Sequence, residues 1–187
     1  MNHYHVNPVD LNGHLLDVTL TIEQPAACQR LWLPNWIPGS YLIRDFSKHI
    51  IGLYAERGKM SVNVDQISKN EWQLDTKAND EPVTVHYQVY AWDLSVRSAY
   101  LDQQQGFFNN TSVCLAVAGQ EQQPISLTVS APEQQPQWKL ATGMPRTSGT
   151  AHGFGRFEAE NYDELIDYPF LMGDLTIEEF IAHGIKH

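Results

Sequence analysis

The stretch HLLDVTLTIEQ, residues 14–24, decides the fold class of this chain. Its apolar residues recur at every second position from Leu16 to Ile22, and acidic or hydroxyl side chains occupy the positions between them. Because successive side chains of a strand point to opposite faces of a sheet, this alternation is typical of a strand with one buried and one solvated face. Strands of this kind usually pair antiparallel.

The same alternation recurs in other stretches of the chain. Turn signals such as Asn12-Gly13, Arg57-Gly58 and Asn79-Asp80 lie between the alternating stretches. Each of these alternating stretches predicts one half-buried strand. They are KMSVNVDQ (59–66), EPVTVHYQVYAW (81–92), TSVCLAVAG (111–119) and PISLTVSAP (124–132).

Helical signals are scarce in this sequence. NYDELIDYP, residues 161–169, predicts one short helix near residues 161–167, with Asn161 as its N-cap. A further strand is predicted from about Ser47 onward, and the glycine-rich residues 147–155 predict a hairpin connection. We therefore predict a single all-β, mainly antiparallel domain over residues 1–187, a two-sheet β-sandwich or saddle-like fold with one short helix.

Composition limits the classes of partner and the compartment. Acidic residues number 22 against 12 basic residues, which gives a net charge of -10 and argues against binding to nucleic acid or to an anionic membrane surface. No stretch has the pattern of a signal peptide or of a membrane helix, so a cytoplasmic location is expected. Cys28 and Cys114 are expected to be reduced thiols, at least partly buried.

The residues alone assemble no catalytic apparatus. The zinc-binding pattern His-Glu-x-x-His and the nucleophile pattern Gly-x-Ser-x-Gly are both absent from the sequence. His3 and His5 would share one side of a strand, but no third ligand can be nominated beside them, and an exposed polar face explains the pair better. We therefore nominate neither a catalytic residue nor a metal ligand.

The densest motif is LPNWIPGSYLIRDF, residues 33–46. Pro38-Gly39 suits a type II turn, in which proline fixes φ and glycine takes a positive φ. Pro34 and Pro38 cannot donate to a strand ladder, so the segment is predicted to leave the sheet.

The adjacent charges Arg44 and Asp45 leave two interpretations open, since each needs partners if it is buried. In the first, Arg44 ties the loop to neighbouring groups of this domain or of another domain. In the second, Tyr41 and Arg44 contact a substrate. The first interpretation is favoured over the second.

The same motif resembles the hallmark of the N-terminal domain of the glycyl aminopeptidase family, zinc metallopeptidase family sixty-one. A second stretch, VRSAYLDQQQGFFNNTSVCL (96–115), resembles the family's aromatic–Asn–x–Thr/Ser block. The matching residues of the first motif are Pro34, Trp36, Pro38, Gly39, Ser40, Tyr41, Ile43, Arg44, Asp45 and Phe46.

The resemblance implies that this chain is the N-terminal β domain of a longer zinc aminopeptidase, a fragment that ends before the catalytic domain. Zinc would then be bound in that missing domain and not in this chain. The domain would pack on its catalytic domain and form a wall of the cleft that binds the peptide substrate. The expected contact residues are Tyr41, Arg44, Asp45, Phe108, Asn109, Asn110 and Thr111, with Pro34, Trp36, Pro38 and Gly39 shaping the loop.

Two alternatives stay open at the level of sequence. The first is a free-standing β-sandwich module that binds peptide or carbohydrate, which the richness in aromatic residues favours slightly. The second is an autonomous enzyme whose turnover would depend on Arg44 or Asp45. If the chain is an isolated domain, we expect an exposed apolar patch where its partner would pack, and this patch would favour a homodimer.

Overall fold

The computed structural model describes residues 1–77 and 81–187 of the chain. Strands dominate these residues, and the helical segments are short. The strands in chain order are β1 (Asn2–Asp10), β2 (Leu15–Ile22), β3 (Cys28–Trp32), β4 (Ile50–Arg57), β5 (Met60–Val62), β6 (Val64–Ser68), β7 (Glu71–Asp75), β8 (Val83–Tyr90), β9 (Ala99–Leu101), β10 (Gln105–Asn109), β11 (Ala116–Val117), β12 (Ile125–Val129), β13 (Lys139–Ala141), β14 (Arg146–Gly149), β15 (Gly155–Ala159), β16 (Pro169–Gly173), β17 (Ile181–Ala182) and β18 (Ile185–Lys186). The helical segments are the 3-10 helices η1 (Phe46–His49) and η2 (Asn110–Ser112) and the α-helix α1 (Tyr162–Asp167).

Within the described residues, the strands form one large sheet, two smaller sheets and a terminal hairpin, β17-β18. The large sheet has eight strands in the order β14-β15-β12-β1-β2-β8-β4-β5. The smaller sheets have the orders β13-β16-β10-β9 and β11-β3-β7-β6. Pairing is antiparallel throughout except between β1 and β12, which run parallel. The predicted all-β, mainly antiparallel, sandwich-like class is therefore confirmed, with two smaller sheets sharing one core with the large sheet.

One face of the large sheet carries a continuous row of buried side chains. Leu127, Tyr4, Leu20, Val85 and Ala55 are register partners in turn, on β12, β1, β2, β8 and β4. None of the five is more than 1% exposed. Because a slip of one residue would turn a whole strand's apolar set to solvent, this row fixes the register of the sheet. The alternation in residues 14–24 thus identifies the central strand of the core.

Several local predictions are confirmed by the structure. Strands β2, β8 and β12 coincide with the alternating stretches at 14–24, 81–92 and 124–132. Helix α1 lies where a helix was predicted, and its N-cap is Asn161, whose Oδ1 accepts a hydrogen bond from the Glu164 N–H at 2.9 Å. Strands β14 and β15 pair across the loop predicted at 147–155. The turn predicted at Asn79-Asp80 lies outside the described residues.

The prediction of a single strand at 59–66 is wrong. Strand β5 pairs with β4 in the large sheet, whereas β6 pairs with β7 in a smaller sheet, and Asn63 lies between them. The Asn63 carbonyl accepts a hydrogen bond from the Asp75 N–H at 3.0 Å, at the point where the chain changes sheets. Alternation continues through this crossover because it records only which side chains are apolar, not which sheet they join.

The prediction of a half-buried strand at 111–119 is also wrong. Residues 113–117 are buried without interruption, and only Ala116 and Val117 belong to a strand. Residues 113–115 cross the core as irregular backbone, whose polar groups would be costly to bury without partners. Three buried tyrosine hydroxyls supply partners for their carbonyl groups. Tyr4 donates to Leu115 at 2.6 Å, Tyr87 to Val113 at 2.8 Å and Tyr162 to Cys114 at 2.7 Å.

Burial of this segment changes the acidity of the groups around it. Desolvation raises the pKa of Tyr4, Tyr87 and Tyr162 well above the ordinary value of 10.0, because a buried phenolate would lose its hydration. The same burial raises the pKa of the Cys114 thiol. All four groups therefore stay protonated at neutral pH, which the tyrosines need in order to donate.

Two smaller predictions need correction. The strand expected from about Ser47 begins only at Ile50, because η1 occupies residues 46–49 and buries Phe46. Both cysteines are free thiols as expected, but Cys28 is exposed at the first position of β3, and only Cys114 is buried. The side chains of β3 alternate, and Cys28 lies on its solvent-facing side.

Candidate functional site

The loop between β3 and β4, residues 33–49, is held in shape by its own hydrogen bonds. Pro38-Gly39 forms the predicted turn: Gly39 has a φ of 81°, and the Ser40 N–H donates to the Ile37 carbonyl at 3.1 Å. The indole N–H of Trp36 donates to the Ser40 carbonyl at 2.8 Å. Ile37 is 9% exposed and anchors the loop in the core. The loop is therefore a fixed shape rather than a flexible connection.

Ser40 connects the turn to the charged end of the loop. Its hydroxyl donates to the Leu42 carbonyl at 2.9 Å and accepts a hydrogen bond from Arg44 Nε, also at 2.9 Å. The backbone N–H groups of Arg44 and Asp45 both donate to the Asn35 carbonyl, at 2.7 and 3.1 Å. Arg44 thus ties the loop to itself, and its contact with another domain stays a prediction.

Asp45 has a different partner from its neighbour in sequence. Its backbone is left-handed, with a φ of 50°, a conformation that aspartate tolerates better than most residues. The Lys69 ammonium lies 2.6 Å from Asp45 Oδ1. This ion pair links the loop to the turn between β6 and β7. Both side chains of this ion pair are exposed. The adjacent residues Arg44 and Asp45 therefore have different partners.

The tip of the loop exposes apolar side chains. Tyr41 has a relative exposure of 101%, and Leu42 and Ile43 are each 65% exposed. The second loop, residues 91–98, adds three more exposed apolar side chains, and Arg97 Nη2 donates to the Gly39 carbonyl at 3.0 Å, so the two loops adjoin. We call this surface the apolar rim. Its members are Trp36, Tyr41, Leu42, Ile43, Trp92, Leu94 and Val96.

The second loop was missed at the level of sequence, although a signal for it exists. Trp92, Leu94 and Val96 alternate with polar residues, as they would in a strand. The structure has no strand there, and Asp93 instead bonds its N–H to the Ala99 carbonyl at 3.0 Å. His14 and Tyr100 both stack on the Trp92 indole, with ring centroids 3.7 and 5.1 Å away. A sugar platform at Trp92, one form of the carbohydrate alternative, therefore has no support from this geometry.

The four expected contact residues at 108–111 are all buried, but only two of them line a surface cleft. Phe108 is fully buried and stacks on Phe170, with ring centroids 5.0 Å apart. Asn110 is also fully buried, and its Nδ2 donates to the carbonyls of Leu165 and Tyr168, at 2.8 and 3.1 Å. Both residues therefore position β10 and α1. Asn109 and Thr111 instead reach a surface cleft.

The cleft lies between the turn of the first loop, the second loop and helix α1, and its volume is about 590 Å³. A cleft of about this size falls within the range of ~300–1,000 Å³ that is usual for small-ligand sites. One wall is apolar and another is acidic, and Asn109, Thr111 and Arg97 complete the lining. The apolar residues are Ile37, Pro38, Val96 and Ile166, and the acidic residues are Asp163, Glu164 and Asp167.

The Asn109 amide has a fixed orientation in this cleft. Its Oδ1 accepts hydrogen bonds from both the N–H and the hydroxyl of Thr111, at 3.2 and 2.8 Å. The Thr111 hydroxyl also lies 3.2 Å from the Ile166 carbonyl and can donate or accept, but the Thr111 backbone N–H can only donate, so the oxygen must face Thr111 and the Nδ2 group must face away. Within the described residues, Nδ2 has no hydrogen-bond partner, although Asn109 is only 8% exposed.

No metal centre emerges from the side chains in residues 1–77 and 81–187. No group of three or more His, Cys, Asp or Glu side chains in these ranges could hold a metal ion. His3 lies 2.6 Å from the Ser126 hydroxyl and His5 lies 2.7 Å from the Ser130 hydroxyl, so each histidine has a partner on the sheet. Among the described helices, none has both the length and the apolar character needed to cross a bilayer.

The fold and the site together describe an all-β, sandwich-like domain whose hydrogen-bonded loop borders a surface cleft. Over residues 3–174 the sequence matches the Peptidase M61 N-terminal domain. This match spans most of the chain, so the chain belongs to the M61 N-terminal domain family. Its members are N-terminal domains of aminopeptidase-like proteins and do not themselves hold the catalytic zinc.

Solved structures agree with this assignment. An aminopeptidase N family protein from Idiomarina loihiensis is 70% identical, with a TM-score of 0.96, and the match covers 100% of this chain but 32% of that one. This chain therefore spans about a third of that relative's length. Native leukotriene A4 hydrolase from Saccharomyces cerevisiae has a TM-score of 0.52 at 11% identity, over 94% of this chain and 28% of that chain, which shows a shared fold alone. The comparison with curated proteins gave no match.

Proposed function

We propose that this chain is the non-catalytic N-terminal domain of a zinc-dependent aminopeptidase similar to glycyl aminopeptidase. In this proposal the domain packs on its catalytic domain through the apolar rim, and its cleft forms part of the wall of the peptide site. Zinc and the hydrolytic chemistry would belong to the catalytic domain. The domain's own contribution would be to hold and shape the substrate.

The observation that carries this proposal is the exposure of the apolar rim. Tyr41, Leu42 and Ile43 are consecutive, and all three project into solvent on a loop whose backbone is fixed by Ser40 and Asn35. Exposed apolar patches on a rigid surface mark interaction sites, because burying them against a partner removes apolar area from water without a large ordering cost. A fixed apolar surface of this kind suits a permanent neighbour such as another domain.

The position of the cleft supports a role in substrate binding. Val96 belongs to both the rim and the cleft, and Ile37 and Pro38 lie in the cleft wall beside Trp36 of the rim. A domain that covered the rim would therefore also close over one side of the cleft. Enclosure between two domains is a common setting for ligand sites. Tyr41 and Arg44, two of the contact residues expected from the sequence, lie on the same loop as Ile37 and Pro38.

The solved Idiomarina loihiensis structure allows a direct test, since about two thirds of that chain lies outside the match. We expect that the positions equivalent to Tyr41, Leu42, Ile43 and Leu94 lose most of their exposure when the rest of that chain is included. The positions equivalent to Met60 and Ile67, which are exposed elsewhere on the domain, serve as controls. If the rim positions stay exposed there, the proposed packing surface is wrong.

A second test uses the protein in solution. The part of the Idiomarina loihiensis chain that lies outside the match can be produced separately and mixed with this 187-residue chain. We expect binding in isothermal titration calorimetry and loss of binding when Leu42 and Ile43 are both changed to Ser. Binding that is unaffected by these changes would contradict the proposal. Cytoplasmic location and homodimer formation stay predictions from the sequence.

A further inference from the structure

Helix α1 presents two acidic side chains to the cleft. Asp163 and Asp167 are one turn apart, both exposed, and both line the cleft. Among the described residues, neither carboxylate has a hydrogen-bond or ion-pair partner. Two like charges at this spacing repel each other, and Asp167 also lies at the C-terminal end of the helix, where the helix dipole disfavours negative charge. A cation between the two carboxylates would relieve both unfavourable effects.

The other charged residues of the cleft already have partners. Glu164 Oε2 accepts a hydrogen bond from the Glu160 N–H at 2.6 Å, and its Oε1 accepts from the Tyr168 hydroxyl at 3.2 Å. Arg97 is directed to the Gly39 carbonyl at 3.0 Å. Asp163 and Asp167 are thus the carboxylates left to receive a ligand. The net charge of -10 on the whole chain adds a long-range attraction for cations.

The Asn109 amide provides an independent indication of a ligand. Asn109 is 8% exposed and lies in the cleft lining, and its Nδ2 donor points away from Thr111, is open to solvent and has no protein partner in the described part of the chain. An oriented donor that lines a cleft can give its hydrogen bond to an acceptor that arrives with a ligand. A backbone carbonyl of a peptide is such an acceptor, whereas a cation could not accept this hydrogen bond.

The apolar wall limits the ligand further. Ile37, Pro38, Val96 and Ile166 line the same cleft as the acidic pair. A lysine or arginine side chain covers apolar surface with its alkyl stem while its charged end reaches acidic groups. A small ammonium group would leave most of the 590 Å³ cleft unfilled.

We propose that this cleft binds a peptide segment with a basic side chain. The ammonium or guanidinium group lies between Asp163 and Asp167, the alkyl stem lies on Ile37 and Val96, and a peptide carbonyl accepts a hydrogen bond from Asn109 Nδ2. The proposal rests on the cleft-wall role described above for its biological setting, and it names the substrate class as peptides with lysine or arginine near the bound end. Its test uses this chain alone.

The test is a nuclear magnetic resonance titration of the ¹⁵N-labelled chain with three blocked or partly blocked peptides. Acetyl-Gly-Lys-Gly-amide carries the basic side chain, acetyl-Gly-norleucine-Gly-amide has the same stem without the charge, and Gly-norleucine-Gly-amide has only a free amino terminus. We expect the lysine peptide to bind about tenfold more tightly than either norleucine peptide, with a dissociation constant in the millimolar range or below. The Asn109 side-chain NH₂ signals should shift with it.

Two double variants locate the binding. Asp163→Asn with Asp167→Asn removes the acidic pair, and we expect binding of the lysine peptide to weaken about tenfold. The matched control, Glu133→Gln with Glu178→Gln, removes the same charge from exposed positions outside the cleft and should leave binding unchanged.

Several results would overturn the inference. They are no binding of the lysine peptide, equal binding of the peptide with only a free amino terminus, unshifted Asn109 side-chain signals, and equal weakening in the two double variants. The comparison of the three peptides needs no variant, so a variant that failed to fold would still leave the inference testable. Burial of the apolar rim in the Idiomarina loihiensis structure is unaffected by any of these outcomes, so failure here and failure of the proposed packing can be told apart.

Discussion

Two irregular segments of this domain differ in where their polar and apolar groups find partners. Residues 113–115 cross the core, where tyrosine hydroxyls from β1, β8 and α1 satisfy their carbonyl groups. The loop at 33–49 lies at the surface and satisfies its own backbone through Asn35 and Ser40, while its tip leaves apolar side chains exposed. The carbonyl groups of the core segment are paired by side chains of the same chain. The surface loop pairs several of its own backbone groups, but within the described residues the buried Asn35 Oδ1 has no hydrogen-bond partner, and the apolar side chains of the loop tip lack contacts.

The difference shows how stability and association are divided in this domain. Removing a polar partner in the core leaves a buried group unpaired, and the fold loses stability. Removing the side chain of Tyr41, Leu42 or Ile43 from the rim should leave the isolated fold almost unchanged, because these side chains contact mainly water. Changes in the core should therefore affect unfolding, and changes in the rim should affect binding to a partner.

The largest effect is expected at alkaline pH. The folded pKa values of Tyr4, Tyr87 and Tyr162 lie above the unfolded value of 10.0, so the unfolded chain loses these protons first as the pH rises. Their contribution to stability is therefore complete below pH 10 and is lost above it. Three such groups lower the free energy of unfolding by about 4 kcal/mol for each pH unit above the unfolded pKa.

Urea unfolding of the reduced chain, followed at intervals from neutral pH to the alkaline limit of folding, checks this slope. The Cys114 thiol adds to the loss, because its pKa is also raised by burial. A stability that stays flat well above the ordinary tyrosine pKa would contradict the buried hydroxyl cluster.

A smaller but more specific effect is expected for Tyr87→Phe. The Tyr87 hydroxyl donates to the Val113 carbonyl and accepts from the Leu115 N–H at 3.3 Å, so its removal leaves two buried backbone groups without this partner. Each unpaired group costs about 1–3 kcal/mol. Chemical denaturation measures the loss.

Tyr54→Phe is the matched control for this change. Tyr54 is 55% exposed and stacks on His86, so the loss of its hydroxyl should change the free energy of unfolding by less than about 0.5 kcal/mol. Equal losses for the two variants would show that the core segment does not depend on the tyrosine hydroxyl.

The rim should show the reverse behaviour. We expect that changing Tyr41, Leu42 and Ile43 to Ser alters the free energy of unfolding of the isolated chain by no more than about 0.5 kcal/mol for each residue. Sedimentation velocity should show weaker concentration-dependent self-association in this variant, if the rim forms the homodimer expected from the sequence. A large loss of stability would mean that the rim supports the fold rather than a partner.

The smallest effect is expected for Lys69→Ala. The Lys69–Asp45 pair has an N–O distance of 2.6 Å, but the two side chains are 61% and 41% exposed. Exposed ion pairs contribute about 0–1 kcal/mol, and salt screens them. Denaturation should be measured in low and in high salt. In high salt we expect nearly equal free energies of unfolding for the variant and the unchanged chain. A difference that persisted in high salt would indicate that Lys69 has another role.

The sequence predicted those elements in which neighbours along the chain share one environment. Alternation identified β2, β8 and β12 because each of these strands keeps one face in the core along its whole length. Pro38-Gly39 predicted its turn because proline and glycine restrict the backbone locally. The same pattern failed at Asn63, where the strand changes sheets, and at 113–115, where distant tyrosines replace a strand partner.

The candidate site was likewise predicted from the sequence only in part. The motif at 33–46 identified the family and the loop, and the N-cap Asn161 identified helix α1. Sequence reasoning also expected Phe108 and Asn110 at a contact surface, and the structure buries both. The second loop and the acidic wall of the cleft came from separate parts of the chain, and no spacing in the sequence connects them.

The sequence by itself determined the all-β class, the turn at Gly39 and the membership of a peptidase family, because these depend on local backbone preferences and on a continuous motif. Only the tertiary structure decided which residues of that motif are buried, which are exposed and which face a common cleft. Asp163 lies far along the chain from Val96 and Asn109, and only the packing of β10, α1 and the two loops brings these residues together. Burial and proximity depend on long-range contacts, which the order of residues does not show.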